Sequence, residues 1–295
     1  MGINAKETVK KFKLRLTKSL GQNFLTDESI IKQIAEAAEI KKDDLVIEIG
    51  PGIGNLTIEL AQLAGSVVAV EIDKYLIPAL TENLKDYNNI EIMNADILKL
   101  DIKKDIIERA GGTSSGATGG GSPASCKIVA NLPYYITTPI IMKLLEEQPG
   151  LDLMVFMVQK EVADRMAANP GKKDYGALSV AVQYYSRCEK LFNVPPHSFI
   201  PQPDVDSTVI RLNIYKEPPV VLKDRSLFFK TVRAAFGQRR KTLVNALSNS
   251  GNFNVEKEKI KDILKVLGIG ENQRGETLTI MQFAELSNAF YEKDC

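Results

Sequence analysis

The chain has a single histidine, His197, and no tryptophan in 295 residues. One imidazole excludes a His-based metal centre and Ser-His-Asp chemistry. Cysteine is scarce as well: Cys126, Cys188 and Cys295 lie far apart and form neither a disulfide framework nor a zinc spacing. They read as buried thiols of a protein kept in a reducing cytoplasm. Long apolar runs are missing; the longest, Leu153 to Val158, falls far short of the roughly 18 residues a membrane span needs. The N-terminus is lysine-rich and has no apolar core of the kind a secretory signal carries. Net charge is also nearly absent: 38 Lys+Arg against 37 Asp+Glu leave +1. That excludes a general cationic coat, although an average of this kind can hide local basic patches. With 44% hydrophobic and 25% charged residues, the chain is globular rather than disordered or fibrous. Its length suits two domains.

What is present alternates between two periodicities. Asp27 stands where it can cap a helix whose apolar residues, Ile30, Ile31, Ile34, Ala35 and Ala38, share one face. Strands are expected at Leu45–Ile49, Val67–Val70, Ile90–Met93, Lys127–Ala130, Leu151–Val158 and Ser207–Ile214. Short apolar strands separated by helices predict a mostly parallel sheet covered on both faces. A β-like run at Lys190–Val194, joined to Ser207–Ile214 by a proline-rich loop, adds a terminal hairpin with an antiparallel strand. Residues 110–125 are almost all Gly, Ser, Thr and Ala, which is the composition of a flexible surface insertion or a mobile lid. Paired prolines at Pro218 and Pro219 mark the boundary between a first domain, 1–216, and a second, 217–295. The second reads as four helices: Ser226–Gly237, Lys241–Ser248, Val255–Leu267 and Thr279–Tyr291.

The sharpest local pattern is Val46-Ile-Glu-Ile-Gly50-Pro-Gly52-Ile-Gly54-Asn-Leu-Thr57. Here a strand runs into a glycine turn that opens a helix, and such a turn lets a nucleotide-like ligand approach the backbone. The spacing G-x-G-x-G differs from the G-x-G-x-x-G of pyrophosphate-binding sites, and no lysine follows as in a P-loop. Glu71 ends the next strand, 21 positions after Gly50, and can accept both hydroxyls of a ribose. Asp96 follows the third strand and can accept from an adenine amine. Turn, ribose acceptor and adenine acceptor without a phosphate cradle suit S-adenosylmethionine.

The fourth strand ends in Asn131-Leu132-Pro133-Tyr134, residues with a use in methylating an exocyclic amine. The lone pair of such a nitrogen is delocalised into the ring. The Asn131 side-chain oxygen and the Leu132 carbonyl can accept its two N–H groups and free that lone pair. Pro133 keeps Leu132 extended and adds no competing donor. Tyr134 offers a face for a flipped base, worth about 1–3 kcal/mol. Phe199 is a second aromatic candidate, either presented over the site by its proline-rich loop or packed within that loop.

These motifs, with Lys18-Ser-Leu-Gly-Gln-Asn-Phe-Leu25, Val158-Gln-Lys-Glu-Val162, Ser198–Ser207 and Phe236-Gly-Gln-Arg-Arg-Lys-Thr242, span nearly the whole chain. In that order they resemble the bacterial ribosomal RNA adenine dimethyltransferases acting on two adjacent adenosines near the 3′ end of small-subunit rRNA. The resemblance implies a Rossmann-like class I S-adenosylmethionine-dependent methyltransferase fold with a small all-α C-terminal domain. It further implies cofactor contacts from Gln22, Asn23 and Leu25, from Gly50, Gly52 and Gly54, from Glu71 and Ile72, and from Asp96, Ile97 and Asn131. The expected substrate is small-subunit rRNA inside a pre-ribosomal particle, met by a cytoplasmic monomer with no metal.

RNA binding has its own support in the residues. Positions 1–20 hold six Lys/Arg and one acidic residue, and positions 223–241 hold seven Lys/Arg and only Asp224. Such patches neutralise phosphates. Within the second patch Arg233, Arg239, Arg240 and Lys241 are the candidate RNA contacts, whereas Lys223 and Lys230 read as a solvated helix face. Two other readings stay open at this level: a large-subunit rRNA methyltransferase conferring macrolide resistance, and a ribosome-assembly or transcription factor that keeps the fold without needing catalysis. A nicotinamide-dependent dehydrogenase is disfavoured by the glycine spacing.

Overall fold

The structure is a computed structural model, and it describes residues 3–14, 22–112, 123–251 and 255–293. Lys18–Gly21 of the N-terminal motif, positions 113–122 of the Gly/Ser stretch and Cys295 lie outside the described residues.

Two compact units emerge. The first comprises Met1–Ala163 and Glu189–Ile214; the second comprises Asp164–Cys188 and Tyr215–Cys295. The sequence reading divided the chain once, at 216–217. The structure instead crosses between units three times, and it places residues 164–188 with the helical unit.

The first unit is built on a sheet of seven strands. In chain order these are β2 (Leu45–Ile49), β3 (Ser66–Glu71), β4 (Ile90–Asn94), β5 (Cys126–Asn131), β6 (Leu153–Gln159), β7 (Ser186–Val194) and β9 (Ser207–Ile214). The spatial order is β4-β3-β2-β5-β6-β9-β7. The five strands from β4 to β6 run parallel, and β9 pairs antiparallel with β6, from Leu153↔Asn213 to Gln159↔Ser207. All five residues of β2 are buried, as a central parallel strand covered on both faces requires. A small second sheet joins β1 (Phe24–Leu25) to β8 (Phe199–Ile200), with Leu25 opposite Phe199.

Helices α2 (Glu28–Ala37), α3 (Asn55–Leu63), α4 (Ile77–Leu84) and α6 (Thr137–Glu147) cover the sheet. The short helices α1 (Ala5–Lys11) and α5 (Arg109–Gly112) belong to the same unit, and α7 (Lys160–Met166) leads the chain out of it. Asp27 caps α2 as expected, accepting from the Ser29 and Ile30 amides at 3.0 and 3.3 Å. The apolar side of α2 (Ile31, Ile34, Ala35) shares a core with Leu60 of α3, Val46, Val129 and Val155. Cys126 lies buried at the start of β5, and burial pushes its thiol up to about 12, the mark of an unreactive thiol.

Register now places the site. Ile49 lies opposite Val70, Glu71 opposite Asn94, and Glu48 opposite Val129. The carboxyl ends of β2, β3, β4 and β5 therefore lie in one row. Chain order reverses between β2 and β5, and the crevice outside that reversal is where open α/β sheets bind ligands.

In the second unit, α8 (Ala177–Tyr185) contributes Tyr184 and Tyr185. Their rings lie 5.5 and 5.7 Å from Phe228 and Phe229 of α9 (Arg225–Gly237). Tyr175 donates its hydroxyl to the Leu278 carbonyl at 2.9 Å. These aromatic partners explain why 164–188 belongs with the helices. The unit is completed by α10 (Leu243–Ser248), α11 (Lys257–Val266) and α12 (Ile280–Glu292), the last opened by a Thr279/Gln282 capping box. Among the described residues no helix is long and apolar enough to cross a membrane.

Candidate active site

An open cavity lies at the carboxyl ends of β2 to β5. Its floor is the glycine turn. Gly50, Gly52 and Gly54 take φ of +69°, +61° and +98°, a region that side chains rarely enter. At Gly52 a Cβ would stand 3.0 Å from the Phe24 ring, so its bareness lets β1 pass over the turn. At Gly54 a Cβ would press on Leu80 and Leu84 of α4 at 3.1 Å. Gly54 does not line the cavity; it serves packing of α3 against α4, a different task from the ligand contact expected of it. Gly50 lines the cavity, and a Cβ there would meet no protein atom within 4 Å.

The segment before α2 forms one wall and is pinned at two carbonyls. Asn131 Nδ2 donates to the Asn23 carbonyl at 3.1 Å, and Asn55 Nδ2 donates to the Leu25 carbonyl at 2.9 Å. Gln22 donates to Asp73 at 2.6 Å. Gln22, Asn23 and Leu25 all line the cavity, together with Ile72, Asp96 and Ile97.

Glu71 is buried at the end of β3. One carboxylate oxygen accepts from the Asp73 amide at 2.8 Å and the other from the Gly52 amide at 3.2 Å. Burial drives its pKa up to about 7 against the opposing pull of those amides. Asp96 is half-buried and turns one oxygen to the Leu98 amide at 3.0 Å. Both carboxylates are thus oriented by backbone donors before any ligand arrives.

Asn131, Leu132, Pro133 and Tyr134 line the facing wall. The Leu132 amide donates to the Met157 carbonyl at 3.2 Å, and the Pro133 carbonyl accepts from Thr137 Oγ1 at 2.9 Å. Tyr134 is half-buried, and its hydroxyl lies 2.6 Å from Ser207 Oγ of β9, which fixes the ring. Phe199 is not brought to the site. Pairing of β8 with β1 turns its ring into the core beside Leu25 and Val194, where it is 1% exposed. The other aromatics lining the cavity are Phe24 and Tyr135.

Sequence reasoning passed over Glu48. It was counted as one more residue of an apolar strand, yet it lines the cavity, is 2% exposed, and its Oε2 has no hydrogen-bond partner. An acid inside an otherwise aliphatic run was the available signal. Among the described residues the lining holds three carboxylates, Glu48, Glu71 and Asp96, and no lysine, arginine or histidine. This composition repels phosphate-bearing cofactors and fits a nucleoside that carries positive charge. Glu71 and Asp96 offer acceptors for ribose and adenine, and bare Gly50 leaves room beside the turn. The residues present therefore fit S-adenosylmethionine. Among the described residues no group of three metal-binding side chains occurs.

The doubly wound sheet, the glycine turn and the carboxylate row together define an S-adenosylmethionine-dependent methyltransferase. The chain belongs to the ribosomal RNA adenine dimethylase family, which it matches over residues 13–286. It is 52% identical to the ribosomal RNA small subunit methyltransferase A of Alkaliphilus oremlandii, across 98% of this chain and 96% of that one. With the protein of the same name from Clostridioides difficile it shares 51% identity, across 98% and 95%. Among solved structures it is similar to a dimethyladenosine transferase from Plasmodium falciparum, with a TM-score of 0.75, 28% identity and coverage of 92% and 98%. It is also similar to the 23S rRNA methyltransferase ErmE, with a TM-score of 0.66, 28% identity and coverage of 90% and 99%. Identity near one half with the small-subunit enzymes, against 28% with the 23S enzyme, leaves the large-subunit reading unfavoured.

Proposed function

We propose that the protein methylates the N6 amines of two adjacent adenosines near the 3′ end of small-subunit rRNA, twice each, drawing on S-adenosylmethionine. In this reading it works in the cytoplasm as a monomer docked on a pre-ribosomal small subunit. The observation that carries the chemistry is the fixed amide of Asn131. Its nitrogen is committed to the Asn23 carbonyl, so its oxygen is the group left to accept from a target amine.

When bound, S-adenosylmethionine supplies an electrophilic methyl group on a cationic sulfur. The chain supplies the rest. Glu71 and Asp96 hold ribose and adenine, and the Gln22–Leu25 segment closes over the turn. Asn131 Oδ1 and the Leu132 carbonyl accept the two N–H groups of adenine N6, which withdraws the lone pair from the ring and aims it at the methyl group. Tyr134, held by Ser207, stacks the base, which must leave its own stack to enter. No strong base is needed, because the nitrogen sheds its proton to water once alkylated. Arg233, Arg239, Arg240 and Lys241 are exposed at the end of α9 and beyond it, available to rRNA phosphates. Arg239 is steadied by the Lys173 carbonyl and lies 3.9 Å from Glu276.

The test is methyl transfer from labelled S-adenosylmethionine to unmethylated small subunits, large subunits and bare rRNA. Label in small subunits supports the reading; label confined to large subunits overturns it.

A further inference from the structure

Of the exposed large hydrophobic residues among those described, two line the cavity: Ile72, 51% exposed, and Tyr135, 55% exposed. The mechanism above gives Tyr135 no task. It follows Tyr134 on the short turn Tyr134–Ile136 that leads from β5 into α6. That turn is held firmly. The Pro133 carbonyl accepts from the Ile136 amide at 3.2 Å and from Thr137 Oγ1 at 2.9 Å, and Thr137 is buried. The Tyr134 hydroxyl is engaged by Ser207 at 2.6 Å. Among the described residues, by contrast, the Tyr135 hydroxyl makes no hydrogen bond and its ring packs on no other ring. The cavity thus carries one half-buried, fixed ring and beside it in the chain an exposed ring on the same rigid turn. A ring displayed in this way loses little freedom when a flat partner covers it. A base that leaves its stack to enter the cavity uncovers a face of the base beside it, and an aromatic side chain is suited to cover that face.

We propose that Tyr135 is a second stacking platform, which takes the base next to the adenine undergoing methyl transfer. This inference rests on the proposed rRNA substrate and deepens it. The two adjacent adenosines are then held as a pair, one over Tyr134 and its neighbour on Tyr135. The contact replaces stacking that the neighbour loses when the target turns in, and so keeps the strand in register with Asn131. It is uncharged, so it strengthens presentation of the target without adding to the salt dependence of binding. Its loss falls on the RNA and leaves cofactor binding alone.

The experiment compares the wild-type protein, Tyr135→Ala and Tyr135→Phe in methyl transfer to unmethylated small subunits, with affinity for S-adenosylmethionine measured by calorimetry. Tyr135→Ala should lose about tenfold in kcat/KM for the subunit, a size in keeping with one lost base–aromatic stack. Tyr135→Phe keeps the ring and should stay within about twofold of wild type. Both variants should bind S-adenosylmethionine as the wild-type protein does. The rates are measured again on reconstituted small subunits in which uridine replaces one or the other adenosine of the pair. A pyrimidine offers a smaller face, so the penalty of Tyr135→Ala should shrink on at least one of these. Absence of a loss in Tyr135→Ala, an equal loss in Tyr135→Phe, weakened cofactor binding, or a penalty indifferent to the neighbouring base would overturn the proposal. Failure of the wild-type protein to methylate small subunits would instead strike the proposed substrate.

Discussion

At the scale of single residues, Asn131 and Glu71 carry the clearest expectations. Asn131→Ala removes both the proposed acceptor for adenine N6 and the bond to the Asn23 carbonyl. Methyl transfer should fall by at least about 100-fold, the size seen when a single donor or acceptor poised for the reacting group is removed. RNA affinity should stay unchanged in a filter-binding assay; equal loss of both would mean that the fold had failed. The acids of the cavity predict a dependence of stability on pH. Glu48 and Glu71 stand at about 8 and about 7 in the folded, ligand-free protein, against 4.5 as the ordinary value. Between those limits the folded state holds protons that the unfolded chain has released, so their contribution to stability is full below about pH 4.5 and is lost as pH rises through 7 and 8. Urea midpoints for the ligand-free protein should therefore fall from about pH 6 to about pH 8.5. Glu48→Gln should flatten that fall. A midpoint that rose over this window would contradict the burial assigned to the two acids.

At the scale of elements, the glycine turn joins strand, helix and strap. Gly54→Ala sets a side chain at φ +98° against Leu80 and Leu84. The backbone strain alone is of order 1–3 kcal/mol, so a lowered urea midpoint is expected. An unchanged midpoint would mean that α3 and α4 yield freely. The parallel strands and the helix caps were legible in the sequence because they rest on local chemistry: aliphatic runs bounded by glycine, and Asp27 before an amphipathic face. The row Gly50, Glu71, Asp96, Asn131 was legible because each ends a strand or follows one directly. Phe199 was not, since only the pairing of β8 with β1, two segments far apart in the chain, shows which way its ring turns. Residues 164–188 escaped for a like reason: Tyr175, Tyr184 and Tyr185 find partners in a part of the chain that local periodicity cannot see. Glu48 was hidden because a strand pattern counts its apolar neighbours and passes over the acid among them.

At the scale of the whole molecule, a net charge of +1 conceals patches of opposite charge. Among the described residues the cavity is lined by carboxylates without a cation, whereas exposed arginine and lysine follow α9. One suits a cationic cofactor and the other a polyanion, so the two bindings should respond differently to salt. Replacing Arg239, Arg240 and Lys241 by alanine should weaken rRNA binding and lower the slope of log affinity against log salt by about 2–3, one unit or slightly less for each phosphate that is no longer neutralised. Calorimetric affinity for S-adenosylmethionine should not move. An unchanged slope would reduce the cluster to solvated surface. The central claim, that this cavity directs methyl groups to adenine N6 of small-subunit rRNA, is tested most directly by digesting rRNA after reaction and identifying the labelled nucleoside and its position. The account predicts N6,N6-dimethyladenosine at two neighbouring positions near the 3′ end of the small-subunit RNA. Label on any other base or atom, or only in the large-subunit RNA, would contradict it.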